Sequence, residues 1–429
     1  METAAVQRRT LRLLFSTQII SGIGVGVGAS VGALLAADIA GIGVSGVALS
    51  ANVIGAALFA VPATTIVHRR GRRLSLAAGY CTAAAGSILL VTAAVRASIP
   101  LLFLGFLLFG GATAAGLQAR YAAVDLAPAA VRGRHLSLIV WGTTVGAVVG
   151  PSLAPFAGAL LAKYGIPTLA GPFFFSALLF GLAALLLLLL LRPDPAVLAR
   201  ELLGASGAPP GDARRPGMRD ALRFVAANPA ARLGVSAMAI GHVVMVGVMT
   251  MTPVHIRGAG HDSAHTLRIV GIVLSFHIAG MFALAPVVGW LTDRLGRRPV
   301  ILTGIAILLT ACALAGTAGH APVRLAVALM LLGLGWSCTM VAGSTLLSDV
   351  ASGELLPSAQ GLSDLMMGLA GASAGALSGL VVGTWGYSWL TLLAALATVP
   401  LVLLISLSPG RVAGHADPGE TVDPLRSAG

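Results

Sequence analysis

A chain of 429 residues that is 57% hydrophobic and only 10% charged has too little polar surface to cover its apolar side chains, which excludes an ordinary soluble globular protein. Its net charge of +12 is carried almost wholly by arginine, with Lys163 the only lysine. Basic loops of a membrane protein account for that excess better than a nucleic-acid partner does, so none is expected.

In chain order, the apolar runs break at charge clusters, Pro and Gly into twelve expected spans: 13–37, 45–67, 74–95, 100–123, 136–160, 171–191, 231–256, 266–291, 300–318, 323–348, 359–383 and 388–407. Each approaches the ~20 residues a helix needs to cross the hydrocarbon of a bilayer, and none alternates as barrel strands do. The first run lacks the cleavage pattern of a signal peptide and is expected to be retained. The fold class is therefore all-α and integral to the membrane. Residues 1–191 form a first six-helix bundle, 192–230 a linker rich in Pro, 231–407 a second bundle, and 408–429 a tail expected to be disordered. An even number of spans leaves both termini on one side. All Lys and Arg except Arg96, Lys163, Arg257, Arg268 and Arg324 then fall on that side, which the positive-inside rule assigns to the cytoplasm; the expected location is the cell (plasma) membrane. Within the linker, "MRDALRFVAANP" reads either as an amphipathic helix on the inner leaflet or as a solvated connector.

The two halves repeat at one offset. "HRRGRR" (His68–Arg73) matches "DRLGRR" (Asp293–Arg298), "AAVDLA" around Asp125 matches "LLSDVA" around Asp349, and "HLS" ending at Ser137 matches "GLS" ending at Ser363. A duplicated six-span unit with like orientation is the parallel-repeat plan of secondary transporters, whose site lies between the halves.

The pattern Gly289-x-x-x-Asp293-Arg294-x-Gly296-Arg297-Arg298, echoed by Arg69, Gly71, Arg72 and Arg73, resembles the signature loop of the major facilitator superfamily. That resemblance implies the twelve-span fold, alternating access, a small-molecule substrate, no enzymatic activity and no resident cofactor; the oligomeric state is left open by the sequence, with a monomer as the expectation. The resemblance also implies an inner-gate latch. Asp293 is expected to accept from free N–H groups at a neighbouring helix start, and the arginines to pair with carboxylates such as Asp349 only while the inner ends are together. His68 stands where the first-half acid would be, so the latch is expected to depend on Asp293. Gly142, Gly146, Gly150 and Pro151 resemble the span-5 motif of proton-exchanging exporters, although Ala154-Pro155 replaces its final glycines; close helix packing is the other reading.

Ionisable groups inside spans are costly and mark pathways. The candidates are Arg120, Asp125, His242, His277, Asp364 and Asp38, with Asn52 as a polar companion. Asp125 is within reach of Arg120, Arg72 or Arg73. Asp364 either pairs at the inner gate or caps its helix, and Asp38 either receives protons or is an ordinary interfacial acid. His242 and His277 lie deepest, and imidazole titrates near neutrality. Met245, Met249 and Met251 suit either a yielding pocket or lipid-facing filler. His255, His261, Asp262 and His265 cluster without an established zinc spacing, and Cys81, Cys312 and Cys338 stand singly, so no metal is expected. "GASAG" (Gly371–Gly375) lies inside a span and "GIGVSG" (Gly41–Gly46) follows no strand, so neither a hydrolase nor a dinucleotide site is expected. Absence of a phosphate-binding loop points to a proton gradient rather than ATP as the driving force. Efflux of a small, fairly apolar molecule leads; uptake by symport and a non-transporting sensor of the same fold are the alternatives.

Overall fold

The computed structural model describes residues 2–128, 132–205, 217–260, 262–351 and 355–407. Among these there is no strand, and twelve helical stretches are long and apolar enough to cross a membrane. Spans 1 to 6 are Glu2–Ala40, Ile42–Arg70, Arg72–Arg96, Ile99–Ala122, Arg132–Ala162 and Gly171–Leu190. Spans 7, 9, 10 and 11 are Pro229–Arg257, Arg297–Gly316, Pro322–Val350 and Leu355–Trp385. Span 8 is built from Ser263–Phe282 and Ala285–Leu295, and span 12 from Tyr387–Leu396 and Val399–Leu407.

Both breaks sit beside a proline, Pro286 and Pro400, which has no N–H for the helical ladder. Pro151 and Pro155, by contrast, lie inside the unbroken helix of span 5.

The helix pairings repeat between the halves. Span 1 packs on 5 as 7 packs on 11, span 3 on 4 as 9 on 10, span 2 on 4 as 8 on 10, and span 3 on 6 as 9 on 12. Between the halves the main contacts are span 2 with 11 and span 5 with 8, which exchange under the same correspondence. This is the pseudo-twofold arrangement that the sequence offset predicts. Below, "terminal face" denotes the side where span 1 begins and span 12 ends, and "far face" the other.

The linker carries two short helices, Pro195–Ala205 and Met218–Ala227. The second is not laid on a lipid surface by its apolar side. Ala221 and Val225 are buried in a cluster with Val235 and Met238 of span 7, Leu347 of span 10 and Leu362 of span 11. Arg219 and Arg223 are exposed, so the helix is amphipathic as read, but its apolar face has a protein partner. The tail 408–429 lies outside the described residues, as do the linker residues 206–216.

Candidate functional site

The two signature loops adopt one geometry. Gly71 joins spans 2 and 3 at φ +87°, and Gly296 joins the end of span 8 to span 9 at φ +91°, a region that residues with a Cβ avoid. The next residue of each loop, Arg72 or Arg297, then reaches the acid at the end of span 4 or span 10. Arg72 donates to both oxygens of Asp125, Nε at 2.9 Å and Nη2 at 3.1 Å, and to Gln118 at 2.8 Å. Arg297 donates from Nε to Asp349 at 2.8 Å. Asp125 therefore pairs with Arg72, not Arg120.

These pairs lie within one half each. The expected pairing with Asp349 is present, and it braces the loop of its own half. Asp293 caps no helix start in this structure; its side chain is 76% exposed, with Arg297 at 3.7 Å. Arg294 lies over the Trp290 ring, Arg69 is exposed, and Arg298 is the second residue of span 9. His68 has its side chain outside the described ones. What sequence reasoning missed is Asp194, just beyond span 6. Its carboxylate accepts from the backbone N–H of Arg73 at 2.7 Å and from Ala196 at 3.0 Å, bringing an acid to the first loop from elsewhere in the half.

The first-half pair is the better enclosed, with side chains 14% and 16% exposed against 28% and 44% in the second. Asp125→Ala strands a partly buried guanidinium and is expected to cost about 2 kcal/mol, Asp349→Ala about 1 kcal/mol or less. Thermal denaturation of the purified variants checks the order; equal losses would contradict it.

Span 5 has two working faces. Gly142 lies against Phe15, Gly146 against Gly22 and Ile23, and Gly150 against Gly26, all on span 1 of the same half. The glycine spacing thus serves close packing, the second of its two readings. The other face of span 5 meets span 8 across the halves. The Ser275 hydroxyl donates to the Val148 carbonyl at 2.9 Å and lies 2.9 Å from the Ser152 hydroxyl, and Gly271 abuts the Pro151 carbonyl.

These contacts lie toward the far face. There, too, the Ser50 hydroxyl of span 2 donates to the Ala372 carbonyl of span 11 at 2.7 Å, and Gly43 and Gly46 lie against Gly383, Gly375 and Gly379. Arg257 at the end of span 7 pairs with Asp38 at the end of span 1 and reaches the Leu34 carbonyl. The far face is shut. Toward the terminal face a cleft of about 940 Å³ separates spans 5 and 8, lined by Trp141, Thr144, Phe282, Ala285, Pro286 and Arg120. Asp364, on span 11 of the other half, forms no ion pair with Arg120. It lies nine positions into its helix, too deep to cap it.

Between the seams and the cleft is a central cavity of about 240 Å³, walled by spans 1, 2, 4, 5, 6, 7, 8 and 11. Asn52 and Met249 line it; Met245 and Met251 are packed in the core instead. His242 lies beside it, its ring against the bare backbone at Gly371. The indole N–H of Trp336 donates to His242 Nδ1 at 3.0 Å. Indole can only donate, so this bond fixes the tautomer of His242 that carries its proton on Nε2. His277 is fully buried; its Nδ1 donates to the Leu329 carbonyl at 2.8 Å and its Nε2 has no partner.

Among the described residues, the outer histidine cluster is not assembled as a ligand set. His255 stacks on Tyr387 and His320, Asp262 caps span 8, and His261 lies outside the described residues. Ser373 of "GASAG" donates to the Leu369 carbonyl one turn back in its own helix.

A family model described as the Major Facilitator Superfamily matches residues 14–269 and again 259–427. The chain is 37% identical to a Bacillus subtilis MFS-type transporter, YdeG, itself uncharacterized, over 95% of this chain and 93% of that one. It is 28% identical to the riboflavin transporter RfnT of Brucella anthropi, over 97% and 100%. The fold superposes on the crystal structure of a mutant of the nucleoside transporter NupG with a TM-score of 0.71 at 17% identity, covering 94% and 99%.

Proposed function

The chain belongs to the major facilitator superfamily, a family of membrane transporters and not of enzymes, and on that premise we propose that it exports a small, fairly apolar molecule in exchange for protons. The observation that carries the reading is a cavity between two pseudo-equivalent halves, sealed on the far face and continuous in direction with a cleft on the terminal face. The arginine bias supports reading the terminal face as cytoplasmic, and the membrane proposed is the cell membrane. In that frame the structure corresponds to the inward-open state. Rocking the halves closes the cleft, bringing Arg120 toward Asp364 and giving Asp293 a helix start to cap; it also parts Arg257 from Asp38. Two bundles of one chain suffice for this cycle, which supports a monomer as the proposed unit.

His242 is the proposed proton carrier. A proton on Nδ1 turns the acceptor of the Trp336 indole into a donor, which breaks that bond. Trp336 also packs edge-on against Phe282, 6.0 Å between centroids, at the break in span 8. Protonation is thereby relayed to the joint that shapes the cleft. His277 has no such relay, since its one hydrogen bond is to a carbonyl and survives protonation. His242→Gln is accordingly expected to abolish flux driven by a pH gradient while sparing substrate exchange without a gradient; loss of both would make the residue structural.

Flux into proteoliposomes under imposed pH gradients of either sign tests the whole reading, with riboflavin as the first compound because of the relative's name. Outward movement of substrate coupled to inward protons supports it. Movement in the same direction as protons makes the chain an uptake symporter. No movement of any compound, with partner binding retained, makes it a sensor.

A further inference from the structure

The central cavity holds a chemical description of its occupant. Its wall among the described residues contains no Asp, Glu, Lys, Arg or His. Four polar side chains reach it, and two are already engaged: Ser30 donates to Val27 and Ser50 to Ala372 and Gly46. The other two, Asn52 on span 2 and Thr250 on span 7, form no hydrogen bond. The Asn52 Oδ1 is moreover shut away from solvent, and a buried carbonyl oxygen without a donor is costly and rare. The remaining surface is apolar, with Met249, Leu274 and Ile278 on one half and Phe106, Phe109 and Phe173 on the other.

From these observations we infer that the cavity selects an uncharged molecule that donates an N–H or O–H to Asn52 and makes a second polar contact with Thr250. An ion there would lose its hydration and meet no opposite charge. Asn52 belongs to the first half and Thr250 to the second, so one bound molecule bridges the two and draws them together. Asn52 is thus a specificity determinant of the transport cycle, and the inference rests on the central cavity being the transported molecule's site.

The test is equilibrium dialysis with the purified full-length chain in lipid nanodiscs. The probes are theophylline, caffeine, phenyltrimethylammonium and benzoate. Theophylline and caffeine share a scaffold and differ by one N–H replaced with N–CH3. Theophylline is expected to bind at least tenfold more tightly than caffeine, and neither ion to bind measurably. Asn52→Leu and, independently, Thr250→Val are each expected to weaken theophylline at least tenfold, with the theophylline-to-caffeine ratio collapsing only in Asn52→Leu. The near-isosteric Asn52→Asp is expected to admit phenyltrimethylammonium. Wild-type binding of either ion at the strength of theophylline, failure of theophylline to bind, or an unchanged ratio in Asn52→Leu would overturn the inference. Failure of the flux experiment alone would remove the transport reading and leave these binding results standing.

Discussion

Replacing Gly46 with valine is expected to hold the far face open. An added Cβ at Gly46 would fall 3.0 Å from the Ala376 carbonyl oxygen and 3.0 Å from the Gly379 N, and closer still to the Gly375 carbonyl. All three are backbone atoms of span 11, on the opposite half, and backbone inside a helix cannot step aside as a side chain does. Relief comes from separating spans 2 and 11, which is the motion that opens this face. Overpacking of a tight contact costs roughly 1–3 kcal/mol. Placed on one side of a two-state equilibrium, that shifts the populations about 5- to 150-fold. Ser45 is buried in the same seam beside Met251 of span 7, so a cysteine there is a direct reporter once Cys81, Cys312 and Cys338 are removed. Its labelling by a membrane-impermeant maleimide should rise by that factor in Gly46→Val, and transport should fall to the background.

The mirror experiment is Gly289→Leu. Nothing lies within 4 Å of an added Cβ there, so this glycine of the signature loop has no packing role in the present state. It lies one turn along from Ala285 and Pro286, which line the cleft, and so faces the surface that closure must cover. A leucine is expected to leave thermal stability within about 0.5 kcal/mol of the parent. The cleft, however, should be unable to close, so the Ser45 reporter becomes less accessible while transport is lost. Normal transport by Gly289→Leu would show that this face does not come together.

The fold was legible because it is periodic. Span lengths follow from bilayer thickness, and the offset between halves predicted that Gly71-Arg72-Asp125 and Gly296-Arg297-Asp349 would be equivalent, as they are. What those residues do was less legible. Sequence named the partners Arg72–Asp125 and Arg297–Asp349 but tied them to closure of the inner ends, whereas each pair joins a loop to a helix end of its own half, because a motif records which residues recur and not which state they serve. Pairings without a local pattern were invisible: Asp38 with Arg257, Trp336 with His242, and Asp194 with the start of span 3. The docking of Met218–Ala227 was equally hidden, since an amphipathic face fits protein and lipid alike. Asn52 was visible only as a polar residue in an apolar run; its unpartnered oxygen is a property of the assembled cavity.

Alternating access is tested most directly by two distances on the same pair of spans, measured by pulsed electron spin resonance in nanodiscs. One label pair replaces Ile42 and Trp385 at the far ends of spans 2 and 11, and the other replaces Arg69 and Gln360 toward their terminal ends, all four exposed. The two distances should change in opposite senses, the first lengthening and the second shortening in Gly46→Val, with Gly289→Leu fixed at the short first distance and the long second one. Distances that stay constant in all three proteins, or that lengthen together, would contradict a transporter whose halves rock about a central cavity.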